Sequence, residues 1–195
     1  MSVNIVLKDK NKVYLAVDSQ ATKGGSRFIQ TNINSIKMWA VEGVDSCYIA
    51  HCGDVRDACI VRTIDDLIDP NANIDFGYIV GNVKHKIVQE LINAEYIDVS
   101  SGYIEKIPSS FFIVYKNKAY AIETDLSVIE IEDYEAHGSG KYMATGSLAS
   151  TVGEDPMTRI KKALKASCNN IYVDFPVYVV DTKSNEIITI KEEDL

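Results

Sequence analysis

An α+β fold, two stacked antiparallel sheets with a helix layer outside each, is predicted by three features of the chain. Apolar runs of strand length come in groups rather than alternating one by one with helices. Two helix-period segments sit side by side in the middle, and two more lie near the C-terminus. The resulting order is strands, two helices, strands, two helices, strands, which is not the strict alternation of a doubly wound parallel sheet.

The first pair of runs, NIVLKD and VYLAVD, is joined by Lys10-Asn11-Lys12 and reads as a β-hairpin. A Gly/Ser/Lys loop spans Lys23 to Arg27. FIQTNINSI leading into KMWAV, then SCYIAHC after the Glu42-Gly43 turn, read as two further strands, with Lys37 inside the first. The period then changes. Ile60, Val61, Ile64, Leu67 and Ile68 share one helical face, and Asp69-Pro70 stops that helix. Val80, Val83, Ile87, Val88, Leu91 and Ile92 stripe a second helix, expected to pack against the first.

SFFIVY, AYAIET and SVIEIE return to strands, the first two joined by Lys116-Asn117-Lys118. HGSGKYMATGSLAS reads as a tight turn opening into a small-residue helix. Asp155 as N-cap and Pro156 at the first helical position start the last helix, with Met157, Ile160 and Leu164 on its buried face. VYVVDT and EIITIK close as a hairpin, and the polar tail KEEDL is expected to fray. No linker, repeat or low-complexity tract divides the 195 residues, so 1–195 is expected to form a single domain.

The net charge of −8 argues against nucleic acid or an anionic membrane as partner, because phosphate binding needs a basic face. Lys8, Asp9, Lys10 and Lys12 interrupt the N-terminal apolar run, so it reads as neither signal peptide nor membrane span, and a cytoplasmic location is expected. Cys47, Cys52, Cys59 and Cys168 contain no Cys-x-x-Cys pair. His51, His85 and His137 are not in register to complete a zinc site, so no metal or other cofactor is called for. A Cys52–His51 nucleophile pair is disfavoured because neighbours along a strand point to opposite faces.

Four residues carry the candidate chemistry. Ser2 becomes the first residue once Met1 is removed. Asp18 ends the second strand, Lys37 precedes Met38-Trp39, and Ser139 lies between two glycines ahead of a helix. Each alone has an ordinary reading: a common chain start, a turn aspartate, a solvated lysine, a helix entry. In this order they resemble the proteasome β-type N-terminal nucleophile hydrolase family, with a pattern similar to its HslV-like members. LAVDSQATKGG resembles the signature after that family's second strand, and SIKMWAV its lysine-bearing strand. IAHCGDVRDA resembles its Ala-Gly-x-x-x-Asp turn into the first helix, and HGSGKYMATGSLA its Gly-Ser-Gly turn and small-residue helix.

The resemblance implies a four-layer αββα sandwich and an N-terminal-serine peptidase acting on unfolded polypeptides. A terminal α-amine has a pKa of roughly 7.7–8.0, suited to a general base, so Ser2 would be nucleophile and base in one residue. Lys37, held by Asp18, would favour the alkoxide. The backbone N–H of Gly53 would form the oxyanion hole, and Ser139 would bond the terminal amine. Ala21 and Thr22 would pair with the substrate backbone, while Ser35, His51 and Val55 would line the specificity pocket. It also implies a homo-oligomeric ring and an ATPase unfoldase as partner.

The chain departs from the family pattern in three places, one being serine as nucleophile where threonine is commoner. The interval from Asp18 to Lys37 is longer than usual; an alignment without an insertion puts Asn34 or Ser35 at the lysine position. The late Asp and Ser-Gly-Gly segment is replaced by CNNIYVDFPV. Two other readings follow from the same residues. One is a catalytically silent scaffold subunit of the same fold. The other is a small-amide amidase, for which Arg27 is the nearby arginine.

Overall fold

The computed structural model describes residues 2–23, 26–30, 37–97, 104–169 and 173–195. Strands β1 (Val3–Asp9) and β2 (Lys12–Asp18) form the expected hairpin, with Lys10 at a positive φ of 53° in its turn. β3 (Gln20–Lys23) and β4 (Ser26–Ile29) follow, then β5 (Met38–Ala40), β6 (Cys47–Cys52), β7 (Ser110–Tyr115), β8 (Lys118–Ile122), β9 (Val128–Glu130), β10 (Tyr134–Gly138), β11 (Val177–Asp181) and β12 (Glu186–Ile190). Among the described residues they form two five-stranded antiparallel sheets, β10-β1-β2-β11-β12 and β5-β6-β7-β8-β9, and the separate β3-β4 hairpin.

Residue alternation explains why these sheets stack. Val6, Val13, Leu15, Val17, Tyr178 and Val180 of one sheet meet Tyr48, Ala50, Phe112, Val114, Ala119 and Ala121 of the other in one buried cluster. The intervening residues face outward and are buried as well. Val3, Ile5, Ala16, Val177 and Val179 pack beneath Leu148, Ile160 and Leu164. Ile49, Phe111, Ile113, Tyr120 and Ile122 pack beneath Val61, Ile87 and Leu91. Strands buried on both faces read as continuous apolar runs, which is how they stand in the sequence.

The outer layers are α1 (Val55–Arg62) with α3 (Lys84–Asn93) on one side, and α4 (Lys141–Ser150) with α5 (Pro156–Ser167) on the other. Short α2 (Phe76–Tyr78) and a π-helical stretch, Ile79–Val83, lead into α3. The result is an αββα sandwich. Asp155 caps α5 as expected, its side chain accepting the Thr158 N–H at 3.0 Å.

Several boundaries differ from the sequence expectation. The first helix ends at Arg62; Leu67 and Ile68 are buried from a turn beyond it, where loop packing satisfies them as well as a helix would. It starts at Val55, where IAHCGDVRDA resembles a turn into a first helix, and Asp54 caps it, accepting the Arg56 N–H at 3.0 Å. The ends of the expected Lys23–Arg27 loop are strand instead, Lys23 pairing with Ser26 and Thr22 with Arg27. Lys37 sits in a turn just ahead of β5, although its carbonyl still accepts the His51 N–H at 2.9 Å. The proposed strand through residues 31–36 lies outside the described residues. β10, with His137 and Gly138, occupies the first part of the expected tight turn because it pairs with β1. The C-terminal tail does not fray: a 3-10 turn, Glu192–Asp194, lies against α5, where Lys161 and Lys165 donate to the carbonyls of Asp194 and Leu195, both at 3.1 Å.

Candidate active site

The start of β1, the end of β2 and the end of β6 converge on Ser2, which is 4% exposed. Its carbonyl accepts the Gly140 N–H at 3.2 Å and the Ser139 hydroxyl at 3.3 Å. Gly138 makes that possible. Its φ is +98°, and a Cβ there would stand 2.1 Å from Ser2 O. Only glycine allows the turn before α4 to close on the N-terminal strand.

Asp18 is fully buried and satisfied from three directions. Oδ1 accepts the Val3 N–H at 3.0 Å and Lys37 Nζ at 2.6 Å, and Oδ2 accepts the Gln20 N–H at 3.1 Å. Burial pushes the carboxyl upward, opposed by Lys37 and the two backbone donors. Burial likewise pushes the Lys37 ammonium down, opposed by Asp18. A lysine with a depressed pKa can take up and release a proton nearer neutral pH, and its charge is tolerated here because the counter-charge is in contact.

At the end of β6, Gly53 has φ +148°, and a Cβ there would meet Ser109 Oγ at 2.3 Å. Ser109 is the centre of a small buried network. Its hydroxyl contacts His51 Nε2 at 3.0 Å and accepts the Asp54 N–H at 2.9 Å. His51 is 4% exposed, and its pKa is pushed down to about 4, chiefly by burial and also by Lys37, so the ring is neutral at physiological pH. Asp57 lies fully buried near Ser109 and Tyr96. Neither of its oxygens makes a hydrogen bond of normal geometry, and burial raises its pKa.

Ser2, Lys37, Gly53, Ala21, Thr22, His51 and Val55 all line one cavity of about 40 Å³. The structure therefore brings together seven of the ten residues singled out by sequence. Asp18 and Ser139 stand just behind that wall, through Lys37 and Ser2. Ser139 donates to the carbonyl of Ser2; its bond to a free terminal amine stays an expectation for the processed chain. Ser35 lies outside the described residues.

Four contributors were not anticipated. Asn4 reaches across the sandwich to donate to His51 O at 2.8 Å, tying the strand that carries Ser2 to the strand that carries Gly53. Gln20 and Gln30 add polar groups to the cavity wall. Cys52 lies beside Ser2 and Lys37, its thiol pushed up by burial and drawn down by both. The polar Asn4 within the apolar run NIVL was the one legible hint among these.

A larger cavity of about 600 Å³, lined by Trp39, Arg62 and Asp65 among others, holds none of the candidate residues. The candidate residues gather instead at the smaller one, where a hydroxyl, a buried lysine and a glycine turn meet. Among the described residues no group of three His, Cys, Asp or Glu side chains is placed to hold a metal ion, and no helix is long and apolar enough to cross a membrane.

No protein-family model matches the chain, and no curated protein matches it by sequence. Solved structures do match. Thiobacillus denitrificans BPH in complex with epoxomicin superposes at a TM-score of 0.74 and 15% identity, over 97% of this chain and 99% of that one. Eukaryotic HslV from Trypanosoma brucei gives 0.63 and 16%, over 92% and 98%. The helically assembled Anbu complex from Pseudomonas aeruginosa gives 0.71 and 14%, over 98% and 88%. These likenesses show the fold: the chain has the α+β sandwich of proteasome-like N-terminal nucleophile hydrolases.

Proposed function

We propose that the protein is an N-terminal-serine peptidase subunit of a proteasome-like, self-compartmentalising assembly. One observation carries the reading: Ser2 shares a small cavity with Lys37, which is paired to buried Asp18, and with the Gly53 turn. The structural neighbour in complex with epoxomicin, a peptide epoxyketone, supports it.

In the proposed reaction Met1 is first removed, freeing the α-amine of Ser2. A substrate strand adds to the edge of β3, beside Ala21 and Thr22, and presents its carbonyl carbon to Ser2 Oγ. The amine takes the hydroxyl proton as the C–O bond forms. Lys37 stabilises the developing alkoxide, and the Gly53 N–H receives the oxyanion. The protonated amine then gives its proton to the leaving nitrogen, leaving an acyl ester on Ser2. Water, deprotonated by the same amine, hydrolyses that ester. Serine performs these steps without the methyl that restricts a threonine rotamer, so turnover is expected to be slower than for a threonine nucleophile.

The assembly would be a homo-oligomer, with the exposed Tyr142 and Met143 of α4 among the apolar side chains a neighbouring subunit covers. An ATPase would unfold its substrates. Ser2→Ala is expected to abolish cleavage of an unfolded protein such as casein while leaving the sedimentation coefficient unchanged. Cleavage surviving that substitution would reject Ser2 as nucleophile.

A further inference from the structure

An oxyanion donor works only when it is held still, and in the peptidase reading, on which this inference rests, that donor is the N–H of Gly53. Glycine itself gives no help. It has no side chain to pack, and its torsions are free over a wider range than those of any other residue. The β6–β7 ladder does not hold it either, because the last pair is Cys52 with Ser110.

Ser109, one residue beyond that pair, takes over. It is fully buried and lies directly against the turn: a Cβ added to Gly53 would stand 2.6 Å from Ser109 Cα and 2.7 Å from its Cβ. Its hydroxyl accepts the Asp54 N–H at 2.9 Å and contacts His51 Nε2 at 3.0 Å. His51 is anchored in turn. Its N–H donates to Lys37 O at 2.9 Å, its carbonyl accepts Asn4 Nδ2 at 2.8 Å, and its ring lies 5.5 Å from that of Phe111. One hydroxyl therefore joins the residue two before Gly53 to the residue just after it. The ladder fixes the chain at Cys52 and Ser109 fixes it at Asp54, so both torsions that aim the Gly53 N–H are pinned. A helix entry alone does not need this, since Asp54 already caps α1 through its own side chain.

We propose that Ser109 is a positioning residue of the oxyanion site: without touching substrate, its hydroxyl holds the Gly53 N–H in the direction from which it meets the charge developing on the substrate carbonyl oxygen. Such a residue acts on the transition state. Losing the hydroxyl lets the turn rotate and weakens the oxyanion contact, while the contacts that bind the peptide along β3 remain.

Epoxomicin separates the two effects, because Ser2 Oγ adds to its ketone carbon and the ketone oxygen takes the charge. Labelling of the processed protein is followed by intact mass over time at several inhibitor concentrations, which gives KI for binding and kinact for bond formation. Ser109→Ala is expected to lower kinact about ten-fold or more, with KI within about two-fold of wild type. Ser109→Cys keeps a side chain of similar shape but offers only a weak acceptor, and is expected to fall with Ser109→Ala. It carries the same comparison if the alanine variant does not fold. Wild-type kinact in Ser109→Cys would reduce Ser109 to a packing role and overturn the assignment. So would a change confined to KI; in both cases Ser2 stands as nucleophile. Wild-type protein that takes no epoxomicin would overturn both.

Discussion

Gly138 and Lys37 fix the site at the level of single residues, one through space and one through charge. Adding a methyl at Gly138 puts Cβ 2.1 Å from Ser2 O at a backbone angle side chains rarely adopt. Gly138→Ala is expected to cost on the order of 3 kcal/mol, read by urea denaturation, and to displace Ser2 in the folded fraction. Lys37→Ala removes the cation from Asp18 and leaves a fully buried carboxylate. That loss is expected to destabilise by about 3–5 kcal/mol. Adding Asp18→Ala removes that carboxylate but strands the buried Val3 and Gln20 N–H groups, so the double variant is expected to recover only part of the stability and none of the activity. If the single substitution left the denaturation midpoint unmoved, the Lys37–Asp18 pair would not be buried as described.

At the scale of elements, the caps decide where helices begin. Asp155→Ala removes the acceptor for the Thr158 N–H and is expected to cost about 1 kcal/mol, visible as a lower midpoint with an unchanged slope. This helix start was legible because Asp-Pro is an unambiguous signal. The start of α1 was legible only through the resemblance of IAHCGDVRDA to a family turn, because Asp54 follows directly on a buried strand and gives no such local signal. Leu67 and Ile68 continue the helical period by coincidence: burial against the α1–α3 layer, not helix formation, is what they satisfy. The long strands were readable because burial on both faces leaves continuous apolar runs. The role of Asn4 lies in a contact across the sandwich, and those of Gln20 and Gln30 in lining a cavity, and neither is something a local pattern records. Ser2, Asp18, Lys37 and Gly53 could be found because the motifs around them, taken in order, resemble those of a known family, although none of the four stands out alone and the interval from Asp18 to Lys37 is longer than that pattern.

For the whole molecule, three stacked apolar clusters carry the fold, and a neutral imidazole lies against Phe111 and Ser109 on the helix-covered face of one sheet. His51 has its pKa pushed from 6.5 to about 4 in the folded chain. The unfolded chain therefore binds the extra proton first as pH falls. The stability this contributes is complete above pH 6.5 and is lost as pH drops towards 4, about 3 kcal/mol in all. Against His51→Gln, the wild-type protein is expected to lose that much more stability across this window, measured by urea titrations at successive pH values. Parallel curves would mean His51 is not buried as a neutral ring.

The central claim is that Ser2 is a working N-terminal nucleophile. The most direct test is the intact mass of the purified protein before and after epoxomicin, which needs both a free amine and a free hydroxyl on the same residue. The account predicts a mass lacking Met1 and one added inhibitor per chain. A mass retaining Met1, or a processed chain that never takes the inhibitor, would contradict it and identify the protein as a silent subunit of the same fold.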